Sequence, residues 1–308
     1  MGTFWVNLPD FTSSIQSLQL QRGIGTSTNG SGAFGASINI LTDNISQTPY
    51  AEISSSFGSF NTRKNTIKFS TGKINDVFEF SGRFSKIDSD GYVDRAFSDL
   101  KSYFIQGTYL KGSTLIKAIS FAGHEKTYQS WYGLTMDQLK ENRRQNPYTY
   151  ENEIDNYKQD HYQLHWNEKI NNFWSFNLGL NYTYGRGYFE QYREDDNIDT
   201  YGGIVSSDTN LNGEKTDTTD LIRRRWLDND FYVFNSSLNF VKNKIDLTIS
   251  SSYSSYVGDH FGEVIWARTF SSNGKIRDRY YEGLGEKKDL SFFTKLLYSI
   301  DEKIEFYS

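Results

Sequence analysis

Gln21 to Thr42 reads QRGIGTSTNGSGAFGASINILT, and the rest of the chain is best understood outward from it. Glycine stands at 23, 25, 30, 32 and 35, with Ser, Thr and Asn between. Glycine admits positive φ and lets backbones pass closely, so the stretch reads as a compact, turn-rich segment set against other backbone. From Ala36 it becomes an alternation, with Ile38 and Ile40 separated by Asn39, which is a strand pattern. Two nucleotide-binding readings fail. Gly25 to Ser31 has the outline of a phosphate loop, but no Lys follows Gly30. Gly30-Ser31-Gly32-Ala33-Phe34-Gly35 matches GxGxxG, yet a strand pattern follows it where a helix is required. A flexible linker fails as well, because Ile24, Phe34, Ile38 and Ile40 are too apolar.

Upstream, Leu8-Pro9-Asp10 is a turn signal, and Ile15, Leu18 and Leu20 alternate with polar residues. Taken together, Ile15 to Thr42 resembles the end of the plug domain of TonB-dependent outer-membrane receptors. In that family a strand leads into Arg-Gly, then a loop, then a Gly-rich segment closing in a Gly-x-x-Asn-Ile-type strand. The matching positions are Arg22-Gly23, Asn29 to Gly35, and Ile38-Asn39-Ile40. The motif covers residues 1–42; the remainder matches by architecture alone.

That architecture comes from pattern. Phe173–Gly185 alternates cleanly: Trp174, Phe176, Leu178, Leu180, Tyr182 and Tyr184 share one face, and small or polar residues share the other. Phe78, Phe80 and Phe84 oppose Glu79, Ser81, Arg83 and Ser85 in the same way. About eleven such segments follow residue 46, and their links alternate in length. Short ones fall at 72–76, 111–113, 168–172, 242–244 and 299–303, and long ones at 88–99, 127–157, 187–225 and 258–286. Tight turns at one end opposite long loops at the other are the pattern of an outer-membrane barrel.

Composition agrees. Only 36% of residues are hydrophobic, yet 17% are aromatic, as expected where every second strand residue faces lipid between aromatic girdles. No apolar run reaches the ~18 residues of a membrane helix. Cysteine is absent, which removes disulfides, thiolate metal sites and Cys nucleophiles. The net charge of −5 argues against nucleic-acid binding. The start, MGTFWVNLPD, lacks the basic and apolar regions of a secretion signal. Plugged barrels have about 22 strands, so the expectation is a receptor fragment truncated at both ends.

The expected fold is therefore all-β: a partial antiparallel transmembrane barrel of about eleven strands (46–308), preceded by the end of a plug domain (1–45). The resemblance implies a non-enzyme of the Gram-negative outer membrane that imports a scarce nutrient, energised by the TonB–ExbB–ExbD complex through a segment outside this sequence. Gln21-Arg22-Gly23, unlike the Lys-Asp version of the glycan-importing branch, points to an iron–siderophore or other metal chelate. Arg22, Gly23, Gly25, Gly30, Gly32, Phe34, Gly35, Ile38 and Asn39 would form the plug core and its seat on the barrel wall. Ligand-facing candidates in the long loops are Trp131, Tyr132, Tyr148 and Tyr150, with Tyr157 beside them, and the cations Arg223 and Arg224. Arg223-Arg224-Arg225-Trp226 reads as the close of the longest loop, placed to meet lipopolysaccharide or an anionic ligand, or to anchor the interface.

Other chemistry is not supported. His161 and His165 share a strand face, but HYQLH lacks the Glu of HExxH. Glu194, Asp195, Asp196 and Asp199 read as a solvated acidic tip, with incidental Ca²⁺ as the competing reading. Thr135–Arg144 reads as a short surface helix. No GxSxG elbow, resident metal site or cofactor pattern is present. Two other classes share the strand pattern: a passive porin-like channel, and a soluble β-sandwich binding carbohydrate through Tyr- and Trp-rich loops.

Overall fold

A computed structural model describes residues 4–23, 35–209, 212–300 and 305–307. Two 3₁₀ turns, Trp5–Asn7 and Phe11–Ser14, open the chain. Between them Asp10 takes a left-handed conformation (φ 55°), which Asp tolerates and which reverses the chain after Pro9. Strands β1 (Ile15–Arg22) and β2 (Ala36–Thr42) then pair antiparallel, with Leu18 opposite Ile40 and Leu20 opposite Ile38. They form a sheet of their own.

Eleven strands make the second sheet. They are β3 (Tyr50–Phe57), β4 (Arg63–Ser70), β5 (Phe78–Ser89), β6 (Ser98–Lys111), β7 (Thr114–Tyr128) and β8 (Ile154–Lys169). After them come β9 (Trp174–Asn197), β10 (Thr218–Lys242), β11 (Ile245–Ala267), β12 (Arg279–Ser299) and β13 (Glu305–Tyr307). Each pairs antiparallel with its sequence neighbours, so the order is a simple meander, and β3 and β13 stand at opposite edges. The sheet is part of a barrel wall and is not closed on itself among the described residues. A sandwich requires a second packed sheet, and the two-stranded piece is far too small to be one, so the soluble-sandwich reading is overturned.

The sheet's polarity is the reverse of a soluble protein's. The amino-terminal segment lies against one face, and there Glu79, Arg83, Gln106, Gln159 and Thr183 are all buried. On the outer face Ile53, Phe78, Phe84, Leu164, Leu180 and Phe292 stand uncovered. Period-two alternation puts apolar and aromatic side chains outward and polar ones inward, which is the demand of a wall with lipid outside.

Turns 71–77, 112–113, 170–173 and 243–244 lie at one end; links 58–62, 90–97, 129–153, 198–217 and 268–278 lie at the other. The expected alternation holds, but two links are much shorter than the sequence pattern implies. The segment 187–225 contributes strand up to Asn197 and again from Thr218, and 258–286 does so up to Ala267 and from Arg279. These polar residues remain in strands because they satisfy one another across the ladder: Glu190 stands opposite Arg224, and Gln191 opposite Arg223. The helix expected near 135–144 forms as α1 (Met136–Glu141), closed by a capping box between Thr135 and Gln138.

Candidate functional site

The amino-terminal segment is fastened to the inner wall at Asp10, whose side chain is only 1% exposed. Arg83 of β5 donates to Asp10 Oδ2 at 3.2 Å, Thr66 of β4 at 3.0 Å and Ser85 at 2.5 Å. Lys64 pairs with Oδ1, to which Ser13 also donates. Arg83 reaches back a second time, from Nε to Ser14 Oγ at 2.8 Å. Burial alone would raise the Asp10 pKa, but the hydrogen bonds from Lys64, Ser13, Ser85 and Thr66 outweigh it and hold the group at about 2. Beside this hub, the Phe11 ring sits 4.9 Å from Phe121 and 6.2 Å from Phe104, and Phe121 stacks on His161 at 4.3 Å. Further along, Asp43 pairs with Lys68 at 2.5 Å, and Thr42 donates to Gln106 at 2.7 Å.

Gly123 of β7 completes the seat. A Cβ there would fall 1.9 Å from the Asn7 carbonyl oxygen and 2.7 Å from Pro9, so the absence of a side chain lets the two backbones touch.

Of the residues expected to form the seat, Gly25, Gly30, Gly32 and Phe34 lie outside the described residues. Arg22 is exposed at the end of β1. Gly23 has φ +82° and donates its N–H to the Gly35 carbonyl at 2.9 Å; a Cβ at either would meet nothing within 4 Å. Among the described residues, the amino-terminal segment meets a wall glycine backbone to backbone at Gly123. Ile38 borders a lumenal cavity of about 470 Å³ shared with Leu8, Phe11, Phe104 and Phe231, while Asn39 is exposed opposite Gln19. Asp10, Arg83 and Gly123 went unselected; the available signal was the spacing of cations 64, 68 and 83 along polar strand faces.

At the loop end the aromatic candidates divide. Trp131 (59% exposed) approaches Phe189 at 5.9 Å, while Tyr132 (62% exposed) packs on Tyr148 at 5.2 Å. Tyr150 instead turns to Tyr192 and donates to Glu190 at 2.7 Å. Burial and the Glu190 carboxylate together push its phenol pKa up. Tyr157 belongs to β8 and is buried, so the five aromatics do not form one surface. Trp131, Tyr157, Phe189, Arg225, Glu125 and Val6 instead border a pocket of about 450 Å³.

The arginines lie within β10, not at a loop's close, and alternate faces accordingly. Arg223 donates to the Tyr201 hydroxyl at 3.1 Å, within 3.8 Å of Asp196. Arg224 pairs with Glu190 at 2.8 Å and lies 4.2 Å from the Tyr188 ring centre. Both charges are thus engaged internally, while Arg225 makes no carboxylate pair among the described residues and rests on Phe189 and Tyr281. The acidic run is engaged too: Asp196 pairs with Arg193 at 2.9 Å and accepts from Tyr201. No group of three or more potential metal-binding side chains occurs among the described residues.

No family model matches the chain, and no curated protein matches its sequence. Solved structures do match its fold. The ferric citrate transporter FecA in its unliganded form superposes with a TM-score of 0.62 at 12% identity, over 96% of this chain and 49% of that one. The pyoverdine receptor FpvA from Pseudomonas aeruginosa PAO1, bound to pyoverdine, gives 0.68 at 10% identity, over 96% and 44%. The copper transporter OprC gives 0.66 at 11%, over 94% and 40%. The chain has the fold of a TonB-dependent outer-membrane receptor. It spans about half, or less, of the length of these receptors. Within that fold the Asp10 hub joins the amino-terminal segment to the eleven-stranded sheet.

Proposed function

We propose that residues 1–45 are the end of a plug and 46–308 part of the barrel of a receptor that sits in the Gram-negative outer membrane and imports a scarce nutrient. The observation that carries this is the Asp10–Arg83 junction, which seats a compact amino-terminal segment inside a wall that is apolar outside and polar within. A passive porin-like channel has no use for such an obstruction. Energy for moving the plug would come from the TonB–ExbB–ExbD complex. The cargo we infer is an iron–siderophore or other metal chelate, supported by the ferric citrate, pyoverdine and copper named for the receptors of like fold. The loop-end pocket bordered by Trp131, Tyr157, Phe189 and Arg225 offers aromatic faces and an unpaired cation to an anionic chelate.

The test is uptake by a strain that has the whole receptor as its one route for each of several chelates. Growth on at least one iron or copper chelate, lost when the receptor or TonB is deleted, supports the reading. Uptake that persists without TonB would return the passive channel.

A further inference from the structure

Two carboxylates in the loop-end pocket have no part in holding an anionic group. The pocket is built on two adjacent rows of the inner wall. In the upper row Asp155 stands opposite Phe189, and Phe189 opposite Arg225. In the row beneath, Glu125 stands opposite Tyr157, and Tyr157 opposite Gly187. All six border the same cavity of about 450 Å³. Residues in direct register share a face and diagonal neighbours lie within reach, so Glu125 and Asp155 can act on one group. Arg225 stands two strands from Asp155, about 10 Å away at ~4.8 Å per strand.

Buried charge ordinarily has a partner, and these carboxylates lack one. Glu125, 4% exposed, accepts from the Thr127 hydroxyl at 3.3 Å, and Asp155 accepts from the Asn156 N–H. Neither meets a Lys or Arg among the described residues. Aromatic faces stand around them. A Cβ at Gly187 would fall 2.7 Å from the Tyr157 ring, so the glycine lets that ring lie close on β9. Trp131 meets Phe189 edge-on at 5.9 Å, and Phe4 of the amino-terminal segment borders the same space. Carboxylates set among aromatic rings suit an alkylammonium, whose charge takes the oxygens and whose methylenes take the ring faces. A bare metal ion fits poorly, because two carboxylates and aromatic carbon do not fill its ligand shell.

We propose that the cargo is zwitterionic: a chelate whose acidic core meets Arg225 and whose protonated amine arm lies between Glu125 and Asp155. The assignment rests on the uptake reading above and narrows its cargo to amine-bearing chelates.

The test is calorimetric titration of the whole receptor with three probes. They are a ferric tris-catecholate carrying one aminobutyl arm, its N-acetyl form, and butylammonium chloride alone. The amine form is expected to bind at least tenfold more tightly than the acetylated one, and butylammonium to compete with it. Both effects are expected to vanish in E125Q/D155N, whose amides keep the shape and leave no cation unpaired. Equal affinity for the two chelates, or a preference that survives in E125Q/D155N, would overturn the proposal. So would a wild type that binds no butylammonium, the result if a cation from elsewhere in the receptor fills the space. Butylammonium binding without binding of either chelate would overturn the zwitterionic cargo as well. In each of these cases, TonB-dependent growth on a chelate without an amine leaves the uptake reading standing. If no chelate supports growth through the receptor, both fall.

Discussion

Arg83 of β5 donates to Asp10 of the amino-terminal segment at 3.2 Å, and neither side chain is more than 2% exposed. Removing one member of a buried pair leaves the other charge uncompensated, at about 3–5 kcal/mol. Asp10→Ala is therefore expected to undock residues 4–22 while the barrel stays folded. Hydrogen exchange reads this directly: faster exchange in the amino-terminal segment with β6–β8 unchanged, whereas unaltered protection there would show the pair to be dispensable.

The same carboxylate sets an acid limit. Its folded pKa, about 2, lies below the ordinary value of 3.8, so its contribution is complete above about 3.8 and disappears as pH falls through 2. Protection of the amino-terminal segment is expected to drop between pH 4 and 2 in the wild type, and that step should be missing in Asp10→Asn.

Gly123 gives a steric test. Gly123→Ala directs a Cβ at the Asn7 carbonyl, where backbone cannot yield, whereas Gly107→Ala meets open space. Limited proteolysis should release the amino-terminal segment from the first variant and spare the second; equal cleavage of both would refute the close-contact account.

Glu153 sits in the link 129–153 with its side chain accepting the Tyr192 N–H at 3.0 Å. Burial raises its pKa to about 7, partly offset by that hydrogen bond and by Arg193. A folded pKa above the ordinary value of 4.5 means the folded link holds a proton that the open one releases, so its stability falls as pH rises from about 4.5 to 7. Protection factors in the link should decline over that range in wild type and stay level in Glu153→Gln.

In the loop-end pocket, Trp131→Ala combined with Arg225→Ala is expected to lower chelate affinity at least tenfold without changing plug protection. Unchanged affinity would move the cargo site elsewhere.

How much was legible in advance follows from the physics of each element. Strands such as 173–185 declare themselves because lipid outside and water within enforce strict alternation. The upper halves of β9 and β10 read as loop because charged residues interrupt the alternation there, and nothing in a single strand reveals that Glu190 will meet Arg224. Asp10 was visible only as a turn residue. Its role depends on Arg83, Lys64 and Thr66, which come from two strands brought together by the barrel's curvature. The glycine-rich run carried the resemblance, whereas the close backbone contact at Gly123 lies at a glycine within a strand, where alternation gives no sign of it.

Strand length has one last consequence. β3 and β4 have 8 residues each, whereas β9 to β12 have 24, 25, 23 and 21. About 9–11 residues cross a bilayer, and the opposite turns are tight, so the surplus of roughly 10–15 residues per strand rises on the loop side. The rim is lopsided, a parapet over β9–β12 falling to a low sill at β3–β5. Along this part of the wall the open end is therefore stepped, and a molecule resting on both the parapet and the sill lies aslant to the strands.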